Sequence, residues 1–166
     1  MRNVLMLMAV SVLAACGTAR TLVLEPVADT GKFSRADVIA HNPTVEVPAE
    51  VTAKLEAVVN RGLYESGAFQ HGPDLRIFYT FVSHDAGDRF ARWFWGGIGN
   101  AGEGSVTLMV RYVDQSDREL AKTQVEGRIG SGFFGGSMDE AITKAGEEVV
   151  KFTVDRFSEA GPVKNH

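Results

Sequence analysis

A single cysteine stands in 166 residues, so no internal disulfide can close and no CxxC or Cys2His2 metal site exists, since each needs two thiols. No H-E-x-x-H and no G-x-S-x-G occurs, which removes the zinc-protease pair and the nucleophile elbow. Positive charge is also short. Against 21 Asp+Glu there are 17 Lys+Arg, a net charge of −4 and a pI near 5.6, which argues against a polyanion or nucleic-acid partner held by a general positive field. Nor is there an apolar run of the roughly 20 residues that cross a bilayer as a helix. The longest, Val4 to Ala15, is broken by Ser11. A mean hydropathy of −0.03 with 45% hydrophobic residues describes one globular domain.

What the N-terminus does contain is informative. Met1-Arg2-Asn3 supplies a positive start, the Val4 to Ala15 run has the length of a secretory h-region, and Leu13-Ala14-Ala15-Cys16-Gly17 closes it. That pentapeptide resembles the bacterial lipobox, in which the chain is cut between the residues at Ala15 and Cys16 and the cysteine thiol carries a diacylglycerol. The resemblance implies a signal peptide over 1–15, lipidation of Cys16, and an acyl anchor holding the protein in a leaflet, each buried CH₂ contributing about 0.8 kcal/mol. Gly17, in place of Asp, resembles lipoproteins sorted to the outer membrane. A lipidated tether over 16–20 would then lead into a single domain over 21–160 and a frayed tail over 161–166.

Within that domain, hydrophobic periodicity predicts a strand over Thr21 to Val27, with Pro26 pointing to an edge position. A long loop is expected from Ala28 to Val47. Pro48 suits the first turn of a helix carrying Val51, Leu55, Val58, Val59 and Leu63 on one stripe. Leu75, Ile77, Tyr79 and Phe81 alternate in a second strand. Val106 to Tyr112 and Ala121 to Ile129 alternate across the Asp114–Glu119 turn as an antiparallel hairpin, and Ser137-Met138-Asp139-Glu140 forms a capping box before a last helix. The expectation is α+β: a two-layer sandwich in β-α-β-β-β-α order, with a largely antiparallel four-stranded sheet and two helices.

Chemistry-bearing motifs are sparse. Gly97-Gly99-Gly102 and Gly130-Gly132-Gly135 both match G-x-G-x-x-G, but the first precedes a strand, and the second follows a hairpin strand and is filled by Phe133 and Phe134. Neither context cradles a pyrophosphate, so no nucleotide and no cofactor is expected. Arg92-Trp93-Phe94-Trp95 clusters large rings beside Gly96-Gly97. Rings of this size either close a core or form a contact tip with an apolar body and a hydrated edge. The candidate binding residues are accordingly Trp93, Phe94 and Trp95, with Phe133 and Phe134 open to the same two uses. His84, Asp85 and Asp88 are the densest titratable cluster, most simply a solvated loop; no catalytic residue and no metal ligand set is assigned.

Taken with Cys16, the element order, the Gly96–Gly104 segment and Gly130-Ser131-Gly132-Phe133-Phe134-Gly135-Gly136, the chain resembles small bacterial lipoproteins of the domain-of-unknown-function family 4410. The resemblance implies an envelope location and an α+β fold, and brings no activity or catalytic residue. The expected function is a non-catalytic accessory binding module of the cell envelope, attached to membrane lipid through acylated Cys16 and meeting an envelope protein partner. The alternatives are an envelope hydrolase, with His84 and Asp85 the first residues to mutate, or a carrier of an apolar small molecule.

Overall fold

Strict alternation builds the middle of the sheet. In a computed structural model that describes residues 18–25, 31–85, 104–129 and 137–160, with the backbone alone at 83–85, eight elements follow in order. They are β1 (Thr18–Glu25), β2 (Arg35–Ala40), α1 (Ala49–Asn60), β3 (Gln70–His71), β4 (Leu75–Asp85), β5 (Ser105–Asp114), β6 (Glu119–Arg128) and α2 (Met138–Phe157). A π turn over Arg61–Glu65 prolongs α1. The strands form one sheet in the order β1-β6-β5-β4-β2-β3.

This corrects the expected sheet in two respects. It has six strands where four were expected, and it is mixed: β2 runs parallel to both β3 and β4, while the other pairs are antiparallel. The missed β2 lies inside the expected Ala28–Val47 loop. Its one fully buried residue is Ala36, which gives little hydrophobic contrast, Ala40 is exposed, and Asp37 is a residue type that strands disfavour. It is held by pairing to β4 across α1, a parallel connection that local periodicity does not encode. β1 also opens at Thr18, so the expected tether over 16–20 already enters the sheet.

One face of the sheet carries both helices. Ile77, Tyr79, Val110, Tyr112 and Val125 point into the same buried cluster as Leu55, Val59, Ile142 and Val149. Ser137 opens α2 by accepting a hydrogen bond from the Glu140 amide at 3.2 Å, the exchange expected of an N-cap. The approach of α2 to β6 requires Gly127: an added Cβ there would lie 2.1 Å from the Ala141 carbonyl oxygen. Similarly, Gly146 on α2 leaves room for Val58 of α1. At the far end of α2, Phe157 packs with Tyr112 and Phe152 at ring-centroid distances of 5.0 and 6.2 Å. Burial pushes the Tyr112 phenol up to about 12. The opposite sheet face meets no helix among the described residues.

Candidate functional site

The register places four backbone positions in one row across one end of the sheet: Thr18 opposite Arg128, Arg128 opposite Ser105, and Ser105 opposite Asp85. β1 and β5 start at this end, and β4 and β6 finish there. Consequently the stretch singled out for lipidation and the two singled out for binding all join the sheet at the same end. The stretch with Cys16 runs into Thr18, that with Trp93, Phe94 and Trp95 connects Asp85 to Ser105, and that with Phe133 and Phe134 follows Ile129. Ala15, Cys16, Trp93, Phe94, Trp95, Phe133 and Phe134 themselves lie outside the described residues, as does Asp88. His84 and Asp85 are placed by their backbone as the last two residues of β4.

Side chains at this end meet on Glu126. Its Oε2 accepts from Arg20 Nε at 2.8 Å and lies 2.6 Å from Arg20 Nη2, while Oε1 accepts from Arg128 Nε at 2.7 Å. Strand geometry makes this possible. Arg128 and Glu126 are two residues apart, hence on one face, and Arg20 is the cross-strand partner of Glu126. Two guanidiniums thus share one carboxylate. Together with Thr18 and Ala19 these three residues line a hollow of about 200 Å³. Sequence reasoning missed this cluster: alternation marks Glu126 and Arg128 as outward and polar, but Arg20 falls in the expected tether and is 106 positions from Glu126.

The hydrogen bond from Arg128 and then that from Arg20 hold the Glu126 carboxyl below the usual glutamate range, against partial burial. A carboxyl with a lowered folded-state value adds stability above its unfolded value, and that stability is lost as pH falls through the folded value. The wild-type protein should therefore lose more thermal stability between neutral pH and pH below about 4.3 than Glu126→Gln does. Melting curves at matched ionic strength check this, and equal losses in both proteins would contradict it.

At the other end of the sheet, a hollow of about 280 Å³ is lined by Lys32, Asp74, Asp114, Gln115 and Glu159, among others. Here Arg35 forks onto Asp74 at 2.9 and 2.7 Å, Gln115 also donates to Asp74, and the Asp114 carboxylate folds back onto the Ser116 and Arg118 amides. These acids are engaged in fixing the β5–β6 turn and the start of β4. The remaining histidines are dispersed. His41 donates its backbone N–H to the Tyr79 carbonyl, and the His71 ring stacks on Tyr64 at 3.8 Å. Among the described residues no group of three or more His, Cys, Asp or Glu is placed to hold a metal ion. No helix among them is long and apolar enough to cross a membrane. The exposed large hydrophobics there, Leu22, Val23 and Leu24 at 46–49% exposure, are consecutive on the edge strand β1.

No family model matches the chain, and no curated protein matches it. Similar solved structures include a PelC dodecamer and a single-substitution variant of it, both from Paraburkholderia phytofirmans. These are 16% and 17% identical over 86% of this chain and 99% and 98% of theirs, with TM-scores of 0.48 and 0.47. A PDZ domain protein from Parabacteroides distasonis ATCC 8503 is 16% identical over 84% of this chain and 35% of its own, with a TM-score of 0.40.

Proposed function

We propose that the protein is a lipid-anchored accessory module of the bacterial cell envelope, most simply of the outer membrane, which acts by binding and not by catalysis. In this reading Cys16 carries the acyl anchor after cleavage behind Ala15, as in the lipoproteins of family 4410 that the sequence resembles. Trp93, Phe94 and Trp95, with Phe133 and Phe134, supply the contact surface toward an envelope protein partner.

The observation that carries the proposal is the row Thr18–Arg128–Ser105–Asp85. It joins the lipobox-like sequence and both aromatic stretches to one end of a single sheet. Cys16 precedes Thr18 by two positions, a reach of about 7 Å when extended. An acylated Cys16 would therefore keep this end close to the headgroups. Aromatic rings joined to that end are suited to a partner that is itself embedded in or resting on the membrane, where a ring buries its apolar body and keeps its polar edge wet.

Two experiments test it. In cells, Cys16→Ser should abolish incorporation of labelled palmitate and move the protein from the membrane pellet to the soluble fraction. A photoreactive side chain replacing Trp95 should give one recurrent protein adduct that disappears in the Cys16→Ser background. Retention of the label by Cys16→Ser, or absence of any protein adduct from position 95, would overturn the anchor and the contact surface respectively.

A further inference from the structure

β1 is the long strand that the sheet can lose most easily. It lies at the edge, and its one strand neighbour is β6. None of its eight residues is fully buried, and none belongs to the hydrophobic core, which closes instead on Ala121 and Val125 of β6. In its first half, Arg20 meets Glu126, and Thr21 Oγ1 donates to Glu148 of α2 at 3.2 Å. A main-chain ladder and polar side-chain bonds therefore hold this strand, and a segment with few buried apolar contacts opens at low cost.

The sequence before β1 sets a length problem. The Val4 to Ala15 run has 12 residues. Hydrocarbon admits such a run as a helix, because an extended chain would leave its backbone N–H and C=O groups without partners. At about 1.5 Å per residue the run then covers about 18 Å of a hydrocarbon core about 30 Å thick. With Arg2 kept in water where the run begins, the Ala15–Cys16 bond stops about 12 Å short of the far boundary, and a headgroup layer of roughly 6 Å lies beyond that. About five residues of extended chain are needed to cover this distance. Only Gly17 separates Cys16 from β1.

We propose that the first half of β1, Thr18 to Thr21, is unpaired from β6 while the Ala15–Cys16 bond is cut, and closes onto the sheet only afterwards. The inference rests on the proposed lipidation of Cys16 and cleavage behind Ala15, and states the conformation that this reaction takes as substrate. The cleavage is a hydrolysis, in which the hydroxyl of water goes to the Ala15 carbonyl carbon and its other hydrogen to the Cys16 nitrogen. With β1 fully paired, the bond could stay in the membrane only if the sheet end sank with it. That end carries Arg20, Glu126 and Arg128, and charged groups are expensive in hydrocarbon. Opening β1 supplies the missing length instead and leaves the pairing of β2 to β6 untouched. Cleavage removes the constraint. The acylated Cys16 can then rise until its glycerol sits among the headgroups, where Gly17 alone bridges to Thr18 and Arg20 joins Arg128 on Glu126.

The test uses the full uncut chain carrying diacylglycerol on Cys16, accumulated in cells whose lipoprotein signal peptidase is inhibited. With the Cys16 thiol alkylated, introduced thiols are the only ones to oxidise. Arg20→Cys with Glu126→Cys, a cross-strand pair, is oxidised in detergent, where no bilayer thickness applies, and then moved into phospholipid nanodiscs with fresh peptidase. This disulfide leaves only Gly17, Thr18 and Ala19 free to extend and should slow cleavage severalfold, with dithiothreitol restoring the rate. Glu25→Cys with Lys122→Cys, paired at the other end of β1, leaves the whole first half free and should be cut at the wild-type rate while oxidised.

Equal cleavage of the oxidised and reduced Arg20→Cys/Glu126→Cys chains overturns the inference. So does equal slowing by the Glu25→Cys/Lys122→Cys disulfide, because the effect would then come from any cross-link and not from the length of free chain. Thr18→Cys with Arg128→Cys, a pair nearer the start of β1, serves if the first pair does not fold. A wild-type chain that gains no diacylglycerol on Cys16, or that the peptidase does not cut, would instead strike down the anchor itself, so the two proposals fail by different results.

Discussion

Gly127→Ala is expected to lower stability by about 3 kcal/mol, the upper part of the usual overpacking range, and the melting temperature by roughly 6–12 °C for a domain of this size. The direction is informative because backbone entropy favours the opposite outcome. A glycine inside a strand is conformationally costly, and replacing it with alanine ordinarily adds stability. Here the new Cβ would stand 2.1 Å from the Ala141 carbonyl oxygen and 3.1 Å from the Ala145 Cβ. The first obstacle is backbone and cannot rotate aside, so α2 must lift from β6. Gly31→Ala is the control, with nothing within 4 Å of the added atom. Equal melting temperatures for Gly127→Ala and the wild type would show that α2 does not sit this close to the sheet.

The same glycine illustrates what a linear reading of this chain can and cannot extract. Alternation over Val106–Tyr112 and Ala121–Ile129 announces two half-buried strands, because one face meets helices and the other does not, and Ser137 announces the start of α2 through its side-chain oxygen. Both signals are local. β2 gives a weaker one because its one fully buried residue, Ala36, lacks the bulk that marks a buried position, and Ala40 at its end is exposed. β3, with two residues, is too short for any period. Its existence depends on β2 lying beside it, as Arg35 pairs with Gln70 and Ala36 with His71.

The candidate site divides along the same line. Cys16 and the aromatic stretches are legible as sequence, since small residues before a lone cysteine, or rings beside glycines, are contiguous. Their convergence on one sheet end depends on the full strand order. The same holds for Arg20, Glu126 and Arg128: the i, i+2 spacing of the last two shows a shared face, but the pairing of β1 with β6 brings in the third.

Phe157→Ala should cost about 3–5 kcal/mol, the range for deleting a buried phenylalanine from a core that collapses incompletely. Phe157 is fully buried, and its ring touches Tyr112, Phe152 and Phe33, whose centroids lie 5.0, 6.2 and 6.4 Å away. The loss extends beyond one cavity. The Phe157 carbonyl accepts the Phe33 amide at 2.7 Å, and Ser158 Oγ, just beyond, donates to the Ala68 carbonyl. The last turn of α2 therefore fastens the segment leading into β2 and the start of β3 to the core. Truncation should lower the denaturant midpoint and weaken near-ultraviolet dichroism from Tyr112. Phe157 lies near the Asp114 end of β5, because its neighbour Tyr112 is two residues from that end, whereas Thr18 and Arg128 mark the opposite end of the sheet. If Cys16 anchors the protein as proposed, the variant should consequently partition into membranes like the wild type below its melting temperature. A variant that is stable but no longer membrane-bound would mean that the α2 terminus, and not the end of the sheet carrying Thr18, governs attachment.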